Sequence, residues 1–173
     1  MDVRALPASE LELLVSSLAR ILCECVADGA SVSFMSDLSQ DVAEEYWHGI
    51  SQKSAAGDLI VFGAFIADEL VGTATLITAT PPNQPHRADV AKVLVRPAFQ
   101  RRGIAKALMI TLEKKALEIG KDLLVLDTLT GSGAEALYAG LGWKRVGEIP
   151  RYALTPDGQA RATMVFYKEL SRG

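Results

Sequence analysis

The residues with most to say about chemistry lie in one run, Val93-Leu94-Val95-Arg96-Pro97-Ala98-Phe99-Gln100-Arg101-Arg102-Gly103-Ile104-Ala105. An apolar β-type segment ends at a proline, a basic turn containing glycine follows, and a helical pattern starts at Gly103. A helix that begins on such a turn points unpaired backbone N–H groups and the positive end of its dipole at one spot. Arg101 and Arg102 stand beside that spot and Lys106 follows one turn in. Together they make an anion pocket suited to a pyrophosphate. The plain alternative is a surface helix start with solvated arginines.

Two carboxylates are placed for proton transfer. Asp89 stands early in the strand that leads to the turn. Asp127 follows the apolar run Leu123-Leu124-Val125-Leu126, and a carboxylate at the end of a buried strand is costly without a partner or a purpose. Either could act as a general base, and both could hold a cationic group. The bland reading is a strand-end cap or an ion pair, for instance with Arg87 or Lys92.

The elements that must position these groups follow from periodicity and turn chemistry. Ser9 and Glu12 form a capping box, and Leu11, Leu14, Val15, Leu18, Ile21, Leu22 and Cys25 fall on one helical face that ends before Gly29. A second helix is expected over 40–56, with Val42, Tyr46, Trp47 and Ile50 as its apolar side. Two β-type runs at 59–66 and 70–79 are close enough for a hairpin, and Pro81-Pro82-Asn83-Gln84-Pro85 is loop. A strand at 88–95 and a helix at 104–119 frame the turn; Ile110 lies on the flank of that helix. A short, doubly buried strand at 123–128, a helix at 134–139 and strands at 143–149 and 163–168 complete the order. Thr155-Pro156-Asp157-Gly158 is a tight turn, and a first strand near 3–6 fits as well. The expected fold is a mixed-sheet α/β domain spanning residues 1–173.

Composition bounds the rest. With 173 residues, 49% hydrophobic and 23% charged, the chain is an ordinary globular protein. A net charge of -3 gives no field that attracts nucleic acid, so any basic site is local. No run is apolar enough to span a bilayer, the N-terminus does not read as a signal peptide, and the cytoplasm is the expected location. Cys23 and Cys25 are two apart on a predicted helix and form neither a disulfide nor a zinc site by themselves; His48 and His86 have no ligand-spaced partner, so no metal is expected.

The element order, with Gln100-x-x-Gly103-x-Ala105, resembles the GNAT superfamily of N-acetyltransferases. That family carries Gln/Arg-x-x-Gly-x-Gly/Ala at a strand-to-helix turn, where it holds the pyrophosphate of acetyl-CoA. Leu137-Tyr138-Ala139-Gly140-Leu141-Gly142-Trp143 resembles the family's tyrosine helix and the glycine-aromatic pair after it. Closer still is a resemblance to the tabtoxin (β-lactam toxin) resistance acetyltransferases. It is carried by Gly29-Ala30-Ser31-Val32, His86-Arg87-Ala88-Asp89-Val90, Leu126-Asp127-Thr128 and Tyr152-Ala153-Leu154-Thr155-Pro156-Asp157-Gly158.

The resemblance implies a GNAT fold, a mostly antiparallel twisted sheet in which the two parallel strands splay apart, with flanking helices. It implies acetyl-CoA as cosubstrate, its diphosphate on the backbone of Arg101, Arg102, Gly103, Ile104 and Ala105, with Lys106 and the two arginines as charge partners and Gln100 opening the motif. Val93, Leu94 and Val95 would pair with the pantetheine arm, and the N–H of Leu94 or Val95 would face the thioester carbonyl. Tyr138 would serve as general acid toward the departing thiolate, and an acidic residue on the cofactor strand, here Asp89, often serves as base. Many members place an Asn ahead of the tyrosine helix; this chain has Gly131-Ser132-Gly133, which leaves Ser132 for that contact. Phe34, Met35, Asp37, Trp47 and the Arg151-Tyr152 segment are candidates to line the acceptor pocket; Tyr46 and Trp47 read as core, and Tyr152 reads as a loop residue with a functional role. The acceptor would be a small-molecule amine such as a β-lactam toxin or antibiotic. A polyamine, amino acid or protein N-terminus is the alternative, as is a non-catalytic acetyl-CoA sensor. Many relatives are dimers, so a homodimer is expected, with no nucleic acid or membrane partner.

Overall fold

A computed structural model describes residues 1–171. The elements are β1 (Asp2–Leu6), α1 (Ala8–Leu13), α2 (Val15–Ala27), α3 (Gln40–Ala55), β2 (Leu59–Ile66), β3 (Glu69–Ile77), β4 (Arg87–Val95), α4 (Ile104–Glu118), β5 (Leu123–Leu129), α5 (Gly133–Gly140), β6 (Lys144–Leu154) and β7 (Ala160–Glu169). A 3-10 turn, Pro97–Phe99, links β4 to α4. The strands form one sheet in the order β1-β2-β3-β4-β5-β7-β6. Among the described residues only β4 and β5 run parallel; the other five pairings are antiparallel. This is the mixed α/β architecture the sequence implies.

Each sheet face carries its own core. Helices α4 and α5 cover one with Ile104, Leu108, Leu112 and Tyr138 against Phe62, Val90, Leu126 and Phe166. Helices α1 to α3 cover the other with Leu18, Leu22 and Trp47 against Val61, Leu70 and Leu94. Gly72 on β3 lets the first turn of α4 lie close: a Cβ there would stand 3.0 Å from the Leu94 carbonyl and 3.2 Å from Ile104 Cγ2.

Several local expectations are corrected. Pro7, not Ser9, caps the first helix, its carbonyl accepting from the N–H groups of Glu10 and Leu11 at 3.0 and 2.9 Å. Glu12 turns to His48 at 2.7 Å instead of closing a capping box. The single expected helix breaks at Leu14 (φ -99°, ψ 4°), which separates α1 from α2. In α3, capped by Ser39, the inward stripe is Ala43, Trp47, Ile50 and Ser51, one helical face centred on Trp47, and Val42 lies outside it and is exposed. Strand β5 is not doubly buried: Leu124 and Leu126 are buried, Val125 is half-buried and Asp127 is exposed. Its partner β4 stays beside it for only three residues. Tyr152 belongs to β6 and not to a loop, because β6 runs on past Pro150 through a register shift at which Arg151 takes φ 53°.

The β2–β3 hairpin closes on Ala67 and Asp68 with φ of 49° and 65°, the left-handed pair that suits a two-residue loop.

Candidate functional site

Parallel pairing of β4 and β5 covers Arg87↔Leu123, Ala88↔Leu124 and Asp89↔Val125 and then stops. Beyond it the strands splay, as the resemblance implies, and β4 presents backbone to the gap. The Arg96 N–H donates to the Val71 carbonyl at 2.9 Å. Strand alternation then turns the polar groups of Leu94 toward β3, with which it is registered at Thr73, and those of Val93 and Val95 toward the gap. Of the two amides considered for the thioester, that of Val95 therefore faces the opening.

A β-bulge shapes the same strand. Thr75 is registered with Ala91 but Thr73 with Leu94, so β4 carries one extra residue. Lys92 takes the left-handed conformation there, φ 51°. The bulge reverses the strand's facing. Before it, Ala88 and Val90 pack on the α4 side; after it, Leu94 joins the α2–α3 core and Val95 the α4 core.

The turn is held from behind. The Val95 carbonyl accepts from Cys25 Sγ at 3.4 Å and from Gln100 Nε2 at 3.3 Å, so the Gln100 side chain is committed to the protein. Arg96 is buried between Glu24, which it meets through Nε at 2.8 Å and Nη2 at 3.0 Å, and Glu69. Arg101 at φ 62° and Gly103 at φ 78° curl the chain into the N-terminus of α4. Gly103 is its N-cap and offers no side chain to the first-turn amides. A Cβ at Gly103 would meet no atom within 4 Å, so within the protein it is the backbone angle that calls for glycine, and the space beside the turn is open. Arg101, Arg102 and Lys106 are exposed around it; Arg102 lies over the Phe99 ring at 5.2 Å and donates to the Ala98 carbonyl at 3.1 Å. Ile104 points into the core and contributes backbone only; Ala105 is half-buried.

The splay opens into a cavity of about 210 Å³ whose walls include Val93, Leu94, Asp127, Ser132 and Tyr138. Tyr138 is 5% exposed, its ring held by Trp143 and Phe166 at centroid distances of 6.0 and 5.8 Å. Trp143 is itself tied to α4 through Nε1 to Glu113 at 2.8 Å. Burial pushes the Tyr138 phenol up to about 12, and the charge of Asp127 adds to this. It is a neutral donor at any physiological pH. Asp127 accepts from Thr163 Oγ1 at 2.9 Å through one oxygen. Ser132 caps α5 through its backbone and lies 3.4 Å from Thr128 Oγ1.

A smaller cavity of about 90 Å³, walled by Ser33, Tyr152, Arg161 and Thr163, meets the first at Ser31 and Asp127. Asp127 thus stands between a groove under the β4 edge and a trough bounded by β6 and β7.

Not every expected residue converges here. Asp89 is the last β4 residue paired with β5, where the splay begins, but it is ion-paired with Arg87, which is in turn held by Gln84 at 2.6 Å. It shares a sheet face with Val125 and Asp127 but does not wall either cavity. Trp47 is core, and Met35 is exposed away from both cavities. Lys92 was foreseen only as an ion-pair partner. It makes no ion pair among the described residues, lines the larger cavity, and faces the Phe34 and Tyr46 rings at 5.7 Å each. A cation set among Val90, Ala91, Val93, Leu94 and Val95 is the signal in the sequence; the bulge that re-aims it depends on the register with β3.

The arrangement can hold a polyanion at the α4 start, an extended amide chain along β4, and a reacting centre between Val95, Tyr138 and Asp127. The open turn and the unpaired β4 edge fit acetyl-CoA. Comparison with known proteins agrees. The sequence profile of the Acetyltransferase (GNAT) family matches residues 23–143. The fold is similar to that of a ribosomal-protein-alanine N-acetyltransferase from Brucella melitensis, with TM-score 0.80, 19% identity, and 98% of this chain and 100% of that chain covered. A protein from Salmonella typhimurium, solved with its cofactor acetyl-CoA, aligns with TM-score 0.80 and 16% identity over 100% of this chain and 95% of that one. An acetyl transferase from Salmonella typhimurium that modifies the N-terminal serine of ribosomal protein L7/L12 aligns with TM-score 0.76 and 17% identity over 98% and 94%. With the profile spanning most of its length, this chain belongs to the GNAT family of acetyltransferases, enzymes that use acetyl-CoA.

Proposed function

We propose that this protein, acting in the cytoplasm, transfers the acetyl group of acetyl-CoA to the amine of a small molecule by direct attack. The observation that carries the reading is the alignment of three features along one opening: the α4 start, the free β4 edge, and the Asp127–Tyr138 pair. Acetyl-CoA supplies a thioester already activated for attack, so no side chain need become acylated.

The first-turn amides of α4, with Arg101, Arg102 and Lys106, bind the diphosphate. Val93 and Val95 hydrogen-bond the extended arm as an added strand, and the Val95 N–H meets the charge that develops on the carbonyl oxygen. Ser132 offers a hydroxyl to the arm from the α5 side. An alkylamine is mostly ammonium at pH 7 and must lose a proton. Asp127 takes the base role, through its free oxygen or a bridging water. Tyr138 donates a hydrogen bond to the leaving sulfur. Burial makes this phenol less ready than an ordinary tyrosine to give up its proton, which favours hydrogen bonding to the sulfur as its contribution.

The resemblance of several segments to tabtoxin resistance acetyltransferases supports a β-lactam toxin or other antibiotic as acceptor. Thiol release from acetyl-CoA, followed over a panel of amines, tests the reading. Acceptor-dependent release supports it. Tight CoA binding without release under any acceptor makes the protein a sensor.

We further propose a homodimer through β6. That strand is the sheet edge, all its residues are exposed, and Val146, Ile149 and Leu154 stand out from it. Sedimentation should give a dimer that Val146→Glu with Ile149→Glu returns to monomer; a monomeric parent refutes it.

A further inference from the structure

Among the walls of the larger cavity there is one cation, Lys92, and one anion, Asp127. They are not in contact as an ion pair among the described residues, so a ligand has room between them. The Lys92 position is unusual for a lysine. It is the left-handed residue of a bulge, where glycine is the least strained choice. The bulge also turns its side chain from the α4 core to the side of α3, where Phe34 and Tyr46 flank the ammonium. Phe34 and Tyr46 meet edge to face at 5.2 Å, which fixes the two rings as a rigid wall.

We infer that Lys92 recognises a carboxylate on the acceptor, so that the substrate class is amino-acid-like, its amine toward Asp127 and its carboxylate on Lys92. The inference rests on the transferase reading above and narrows its acceptor. A dipolar pocket complements a dipolar ligand. A diamine or polyamine would instead bring a second positive charge against Lys92. Burial pulls the Lys92 ammonium below its ordinary range, with only Asp127 acting against that, so the group lacks the counter-ion that a ligand carboxylate would bring.

The test compares amino acids with their decarboxylated counterparts as acceptors: L-lysine with cadaverine, L-ornithine with putrescine, L-serine with ethanolamine, L-phenylalanine with phenethylamine. Thiol release is the readout, with calorimetric binding of acetyl-CoA measured alongside. The carboxylated member of a productive pair should be favoured about ten- to a hundredfold in kcat/KM, the range of one charge-assisted contact. Lys92→Met should abolish that preference through KM while leaving acetyl-CoA affinity unchanged. Lys92→Arg, which keeps the charge, should retain it. A parent that uses the decarboxylated amines equally well, or a preference that survives Lys92→Met, overturns the inference and leaves the transferase reading standing. Acetyl-CoA binding with no release from any amine overturns that reading and the inference together.

Discussion

Replacing Gly103 with alanine separates what the turn needs for folding from what it needs for binding. Gly103 sits at φ 78°, and a Cβ there meets nothing within 4 Å. The strain of a left-handed alanine is then the whole effect on folding, about 1–2 kcal/mol. In a domain of this size that lowers Tm by about 2–8 °C. Gly120, at the other end of α4, is a matched control. Its φ is 81° and its added Cβ is also free of contacts within 4 Å. It lies where the Lys121 N–H closes the helix on the Ala116 carbonyl at 2.8 Å. Gly120→Ala should therefore lose the same stability, far from the turn. Only at residue 103 does the new methyl enter the space in front of the first-turn amides. Displacing one charge-assisted hydrogen bond to a diphosphate costs about 1.5–3 kcal/mol, roughly 10–150-fold in Kd. Thermal unfolding and calorimetric titration with CoA read the two effects separately. Equal Tm losses, with weakened CoA binding in Gly103→Ala alone, are expected. CoA affinity that is unchanged in Gly103→Ala, or equally weakened in both variants, refutes the placement of the diphosphate at this turn.

Tyr138→Phe keeps the ring between Trp143 and Phe166 and removes only the donor; kcat should fall about tenfold or more with KM for acetyl-CoA within about twofold, and unchanged turnover would take the hydroxyl out of the mechanism. Arg96→Met strips the clamp from Glu24 and Glu69. Because those carboxylates are partly solvated, the loss should be about 1–3 kcal/mol in urea unfolding at pH 7. Arg96 holds the Glu24 carboxyl below its ordinary value of 4.5, so this stabilisation is present above that pH and lost as pH falls through the folded value. The parent should therefore lose more stability than Arg96→Met between pH 7 and pH 4; equal losses would show that the pair is not coupled to folding.

Local physics made much of this fold legible. The β2–β3 hairpin follows from the short link between two β-type runs, the start of α4 at Gly103 from the backbone freedom of glycine, and the apolar face of that helix from the 3.6-residue period. What escaped depends on neighbours distant in sequence. Asp127 emerges at the end of β5 as expected, but the short β4–β5 pairing leaves that strand only half-buried, and no residue of β5 encodes that. The Asp89–Arg87 pair, two residues apart on one strand face, is by contrast one that the sequence itself offers, and it leaves Asp127 as the carboxylate of the opening. The bulge at Lys92 exists only in the register with β3; the three-residue spacing of Asp89 and Lys92 breaks the alternation but does not show where the extra residue sits.

The irregularities of β4 belong together. A bulge at Lys92, a splay beyond Asp89, and left-handed residues at Arg101 and Gly103 follow one another along a short length of chain. Each left-handed non-glycine residue is disfavoured by about 1–2 kcal/mol, and none would persist in an isolated strand. They persist because that stretch is fastened where it leaves the sheet. Cys25 and Gln100 take the Val95 carbonyl, and Arg96 joins Glu24 of α2 to Glu69 at the start of β3. The fastening comes mostly from α2, the helix whose C-terminal end runs into Gly29-Ala30-Ser31-Val32 on the cavity wall. The same helix therefore sets both the angle at which α4 offers its amides and the position of the wall facing Lys92. A substitution in the buried α2 face that tilts the helix, such as Cys25→Leu, should then disturb the diphosphate site and the acceptor cavity as one unit.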